Sequence, residues 1–116
     1  MAKSHKTTRR LEFSQKTRER IKDRDHGECI FCAMGYHMEY ISGRIPGKEI
    51  MHFVPRSQMG LGIEENGALG CLEHHELLDN GNKGLRPEML GRFEAYLRSF
   101  YPEWDKDKLV YRKYDF

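Results

Sequence analysis

Two short motifs limit what this 116-residue chain can become: Cys29-x-x-Cys32 and Cys71-x-x-His74. Each spacing lets two side chains of one tight turn reach a single ion, and a Cys3His set suits tetrahedral zinc. Four protein ligands leave no open position, so the expected site is structural, clamping an N-terminal turn to the start of a helix. The competing reading makes Cys29 and Cys32 ordinary buried thiols and His74 a surface residue. The three cysteines cannot all pair with one another, and metal ligation is a better default than a disulfide framework where thiols stay reduced. A redox role for Cys29-x-x-Cys32 is disfavoured, because no strand-then-helix thioredoxin pattern surrounds it.

A chain of this length is expected to form one small domain with a modest core, the size at which a structural metal is a common supplement. Its apolar runs are only a few residues long, too short for a membrane span. The opening MAKSHKTTRR lacks the apolar region of a secretory signal. No membrane association and a cytoplasmic location are therefore expected. The net charge of +2 conceals an asymmetry: residues 1–24 hold nine Lys/Arg against three acids, a net of +6, and the remainder nets −4. A basic arm on a weakly acidic body suits a phosphate backbone better than a small anionic metabolite, although a solvated helix face or tail carries the same signature.

Residues 1–12 read as a flexible basic arm. A helix is predicted over 14–25, with Ser14 as N-cap and Gly27 as stop; with only Phe13 and Ile21 apolar, it should pack lightly. ECIFC reads as a tight turn, and 33–48 as a loop or irregular hairpin with a candidate strand at 38–41 and a turn at 43–47. Residues 49–54 read as a strand stopped by Pro55, 67–70 as a second strand, and 73–78 as a short helix ended by Asn80 and Gly81. A longer helix begins at Pro87, with apolar spacing at Met89, Leu90, Phe93 and Leu97, and ends at Pro102. The tail carries Trp104, Leu109, Val110, Tyr111, Tyr114 and Phe116, read as core rather than as base-stacking platforms. The fold class is α+β: a single domain over 13–116, with its core at 27–81 and the C-terminal helix and tail at 86–116.

If His74 is the fourth zinc ligand, its neighbour His75 points elsewhere, because successive helical side chains diverge. Hydrolysis of a phosphodiester needs an activated water and neutralisation of charge on the phosphoryl group and the departing oxygen. A histidine titrating near neutrality suits the first task and a divalent cation the others. His52 in the apolar run IMHFV is the candidate general base and His75 the candidate metal ligand. Asp79, four residues after His75 on the same helical face, can join it on one cation or can simply cap the helix end. Arg56 can contact a phosphate or cap a loop. His26 and His37 have no assigned role.

The run MHFVPRSQMGLGIEENGALGCLEHHELLDNG, flanked by ECIFC, resembles the HNH endonuclease family, most closely the small HNH proteins of bacteriophages and mobile elements. The resemblance covers about residues 20–85. It implies a ββα-metal, treble-clef-like unit flanked by a basic N-terminal helix and a C-terminal helix. His52 matches the general base on the first strand, Asn66 the loop asparagine that orients that strand and base, and His75 the metal-binding histidine opening the helix. Cys29, Cys32, Cys71 and His74 fall on the structural zinc positions of members with two cysteine pairs. One position departs: many members carry an acidic residue or histidine before the base, and here it is Met51, whose thioether is a poor partner for a hard cation. Either His75 and Asp79 hold the ion with waters and substrate phosphate, or Glu49 reaches in from the same strand face.

The expected function is a zinc-stabilised DNA endonuclease using Mg2+, Mn2+ or another divalent cation, with DNA as partner and, by resemblance, a phage terminase or packaging apparatus. The alternative is a non-catalytic, zinc-stabilised module that binds nucleic acid or protein.

Overall fold

The chain's architecture is given by a computed structural model that describes residues 10–44, 46–80 and 83–112. Most of the expected arm, the Gly81 turn and the tail residues Tyr114 and Phe116 lie outside the described residues. The elements in order are α1 (Gln15–Arg24), α2 (Ile30–Ala33), β1 (Lys48–His52), β2 (Gly67–Cys71), α3 (Leu72–Asn80) and α4 (Arg86–Phe100), with short 3-10 turns between them. The fold is thus α+β, built on a two-stranded antiparallel sheet. No helix among the described residues is long and apolar enough to cross a membrane.

The hairpin sets the geometry. Register pairs Lys48 with Cys71, Met51 with Ala68, and His52 with Gly67. Strand side chains alternate between faces, and both faces are covered. On one, Ile50 and Leu69 pack with Phe13 and Ile21 from the α1 side. On the other, Met51 is completely buried among Phe31, Leu78, Phe93 and Leu97. β2 runs straight into α3 without a loop, so the backbone that ends the sheet also opens the helix carrying His74 and His75.

Local signals account for most boundaries. The Ser14 hydroxyl accepts the Thr17 N–H at the start of α1, and a proline stands in the first turn of α4, where its missing N–H costs nothing. Two expectations change. ECIFC forms a short helix whose N-cap is the Cys29 sulfur, accepting the Cys32 N–H. The candidate strand at 38–41 is a 3-10 turn at Met38–Tyr40; among the described residues the sheet is β1 and β2 alone, and neither pairs with this segment to complete its hydrogen bonds.

The expected light packing of α1 also gives way to a polar anchor at its C-terminal end. Arg24 and Asp25 form a buried ion pair at 2.8 Å. Asp25 accepts the Leu69 N–H of β2 at 2.9 Å and the Tyr96 hydroxyl of α4 at 2.6 Å. The Arg24 guanidinium donates to the carbonyls of Gly67 and Glu64. With these partners both charges are satisfied, the condition under which a buried pair is tolerated.

Residues 10–12, expected within the arm, are docked rather than free. Leu11 is completely buried, and the Arg10 carbonyl accepts the Gly62 N–H at 2.8 Å. The strap fits closely: a Cβ at Gly62 would stand 2.1 Å from the Glu12 carbonyl oxygen.

The apolar core centres on Phe93, which meets Phe31 and Phe53 edge-on at 6.3 and 5.5 Å and is fully buried. Phe93→Ala is expected to cost about 3–5 kcal/mol, read as a lowered urea midpoint at unchanged slope.

Candidate metal centre and the hairpin–helix cleft

The two half-sites meet. The ligand atoms of Cys29, Cys32, Cys71 and His74 all lie within 4.8 Å of one another, and no other group of three or more metal-ligating side chains does so among the described residues. The His74 Nδ1 stands 3.5 Å from the sulfurs of Cys29 and Cys32 and 3.3 Å from that of Cys71; the Cys32 and Cys71 sulfurs are 3.9 Å apart. A tetrahedral zinc with bonds of about 2.3 Å to sulfur and about 2.0 Å to nitrogen separates S from N by roughly 3.5 Å and S from S by roughly 3.8 Å. The donor set therefore fits a tetrahedral thiophilic ion in both chemistry and spacing.

The surroundings agree. His74 Nε2 donates to the Tyr36 carbonyl at 2.7 Å, which fixes the tautomer and leaves Nδ1 as the ligand, as outer partners of metal-bound histidines do. The Cys29 and Cys71 sulfurs also accept the backbone N–H groups of Cys32 and His74 at 3.4 Å. Without a cation, burial and then the neighbouring Cys29 and Cys71 sulfurs push the Cys32 thiol up to about 12, because a thiolate there would face like charges and no counter-charge.

The second group lies where β1 meets α3. His75 Nε2 is 3.0 Å from Asp79 Oδ2, one helical turn on, and Nδ1 is 3.1 Å from Glu49 Oε1 on β1. The two carboxylates thus stand on different nitrogens of the ring, and one ion cannot sit on both sides of an imidazole. Adjacent ligands on a divalent cation with bonds of about 2.1 Å are roughly 3.0 Å apart, so His75 and Asp79 have the spacing and the nitrogen and oxygen donors for such an ion. Asp79 is also 3.9 Å from Arg86. Met51 lies in the core, on the strand face opposite His52, and offers nothing to either group.

His52 ends β1, half-buried beneath the strap. Its Nε2 is 3.0 Å from the Leu11 carbonyl and its ring is 4.4 Å from that of Phe13. A carbonyl only accepts, so Nε2 carries the proton and Nδ1 keeps its lone pair. Burial chiefly lowers the pKa of His52. The Leu11 carbonyl and Asp79 act in the opposite direction, while Arg56 and His75 reinforce the depression. The α3 residues His75 and Asp79 are thus within electrostatic reach of His52.

Asn66 is fully buried. Its side chain accepts the Val54 N–H at 2.8 Å and donates to the carbonyls of Val54 and Leu61 at 3.1 and 2.8 Å, tying the loop to the end of β1. Arg56 is exposed and pairs loosely with Glu12 of the strap at 3.5 Å. His26 and His37 occupy left-handed turns, with φ of 56° and 43°, and belong to neither group. A cleft of about 570 Å3 bounded by Ile63, Tyr101, Trp104 and Lys108 holds none of these residues.

The strap over His52, the Tyr36 carbonyl and the Glu49 contact were not foreseen. The first two act through backbone carbonyls, which leave no mark in side-chain identity; Glu49 appeared only as an alternative ligand. No family model matches the chain, and no curated protein or solved structure does either.

Protein purified without chelator is expected to carry one zinc per chain by elemental analysis. His74→Ala or Cys71→Ser should lose the ion and lower the melting temperature by at least about 10 °C.

Proposed function

We propose that the chain is an HNH-type, metal-dependent DNA endonuclease whose scaffold is held by zinc at Cys29, Cys32, Cys71 and His74. The observation that carries this reading is the presence together of a strand-end histidine whose Nδ1 has no hydrogen-bond partner among the described residues and a helix-borne His75 and Asp79 of cation-binding spacing. The cysteine site needs reduced thiols, in keeping with a cytoplasmic setting.

In this reading His52 Nδ1 takes the proton of the attacking water. As the imidazolium forms, its Nε2–H stays bonded to the Leu11 carbonyl, so the ring keeps its aim while charged. Phe13 covers one face of the ring and excludes bulk water from it. Asn66 holds the strand end that presents His52. Arg56 exchanges Glu12 for a neighbouring phosphate, a stronger partner for a guanidinium. His75 and Asp79 would hold a divalent cation, which when bound would supply Lewis-acid neutralisation of charge on the phosphoryl group and the departing 3′ oxygen. The products are 5′-phosphate and 3′-hydroxyl ends, as the HNH resemblance implies. The positive charge of residues 1–24 adds salt-sensitive, sequence-independent affinity, and a phage terminase or packaging complex is the proposed assembly that directs it.

A second reading, a zinc-stabilised binding module without chemistry, has one observation in its favour. His75 and Arg56 already have protein partners at ordinary hydrogen-bond or ion-pair distance, and neither needs a cation or a phosphate to be satisfied.

Supercoiled plasmid with Mg2+ or Mn2+ is expected to be nicked or linearised, with His52→Ala slower by about 10²–10⁴-fold. DNA binding without cleavage by the wild-type chain, unchanged in His52→Ala, supports the module instead. The pH profile is a separate check. A general base must be neutral, and the pKa of His52 is depressed below 6.5. The cleavage rate should therefore be level through neutrality and fall only on the acid side of pH 6.5; a rate still climbing tenfold per pH unit above pH 7 assigns the base elsewhere.

A further inference from the structure

We propose that Glu49 is a positioning residue for His75: it accepts the Nδ1–H and so turns the Nε2 lone pair toward the cation shared with Asp79. This rests on the reading of His75 and Asp79 as the cation site. The geometry is a carboxylate 3.1 Å from one imidazole nitrogen and a second carboxylate 3.0 Å from the other. An imidazole that binds a metal through one nitrogen carries its proton on the other, and an acceptor there fixes ring and tautomer.

The two carboxylates are not interchangeable. Asp79 is one turn from His75 on the same helix and moves with it. Glu49 belongs to β1, paired in register with Gly70 of β2, and its carboxylate reaches His75 of α3 from the strand. His75 and Asp79 are both among the charges that act on His52. Glu49 therefore links the strand that ends in His52 to the helix that bears the ligand, fixing the relative aim of the two histidines. The chain's departure at Met51 gains a physical account: the acidic residue that matters on β1 stands two positions earlier and acts behind the ligand instead of beside it.

The test is titration of the full-length, zinc-loaded chain with Mn2+ by calorimetry, comparing wild type with Glu49→Gln, Glu49→Leu and His75→Ala. Glu49 is largely exposed, so its variants should keep the wild-type zinc content and melting curve. The expected result is loss of the saturable Mn2+ site in His75→Ala and a Kd about 10-fold or more higher in Glu49→Leu. Glu49→Gln, which keeps an acceptor oxygen, should fall between. Nitrogen-15 spectra of the zinc-loaded chain in saturating Mg2+ should show the His75 proton on Nδ1 in wild type and redistributing in Glu49→Leu. An unchanged Mn2+ Kd in Glu49→Leu, with binding lost in His75→Ala, overturns the positioning role alone. Absence of a saturable site in wild type, or a site that survives His75→Ala, overturns the cation assignment and this proposal with it.

Discussion

Three sulfurs and one imidazole nitrogen converge at the junction of α2, β2 and α3, and the other elements are arranged around that convergence. Close-set thiols are a liability in isolation, since burial and the neighbouring sulfurs hold the Cys32 thiol protonated when no cation is present. They become a strength when a cation is held, because binding energy at such a site is folding energy. The cluster draws together positions 29 and 74, and between them lie the loop and hairpin that carry Glu49, His52 and Asn66. The division of labour between the adjacent histidines follows. His74 is turned inward and held by the Tyr36 carbonyl, while His75, about 100° further around the helix, faces the carboxylates of Glu49 and Asp79.

A second anchor works by a different physics. The Arg24/Asp25 pair takes up the Leu69 N–H of β2, the carbonyls of Glu64 and Gly67, and the hydroxyls of Tyr96 in α4 and Tyr101 just beyond it. It fixes the end of α1 against the sheet, and through α1 the strap that roofs His52. The hairpin that carries the proposed base therefore has two independent supports, a thiol-rich cluster and a buried ion pair.

What was legible in the sequence is what local spacing encodes. Ser14, Pro87, Pro102 and the two Cys-x-x half-sites mark element ends or ligand turns through contacts within a few residues, and the structure has a helix terminus or a ligand at each. What was not legible depends on partners far along the chain. Residues 10–12 look like an arm because nothing local tells of a carbonyl meeting His52, 41 positions away. The apolar alternation at 38–41 resembles a strand, but a strand needs a neighbour and the hairpin does not extend that far. Met51 was partly legible: its thioether marks it in the sequence as a poor partner for a hard cation, and its complete burial in the core is what the sequence did not show.

Asn66 bears one more consequence. Its backbone carbonyl accepts the Phe53 N–H, while its side-chain amide bonds both the N–H and the carbonyl of Val54. A primary amide that donates and accepts in this way imitates a peptide unit, so a side chain supplies one additional rung where the partner strand has already turned away. Aspartate would bring acceptors only, and leucine neither donor nor acceptor. The hairpin is in effect longer than its backbone, and His52 rests on a ladder finished by a surrogate peptide bond.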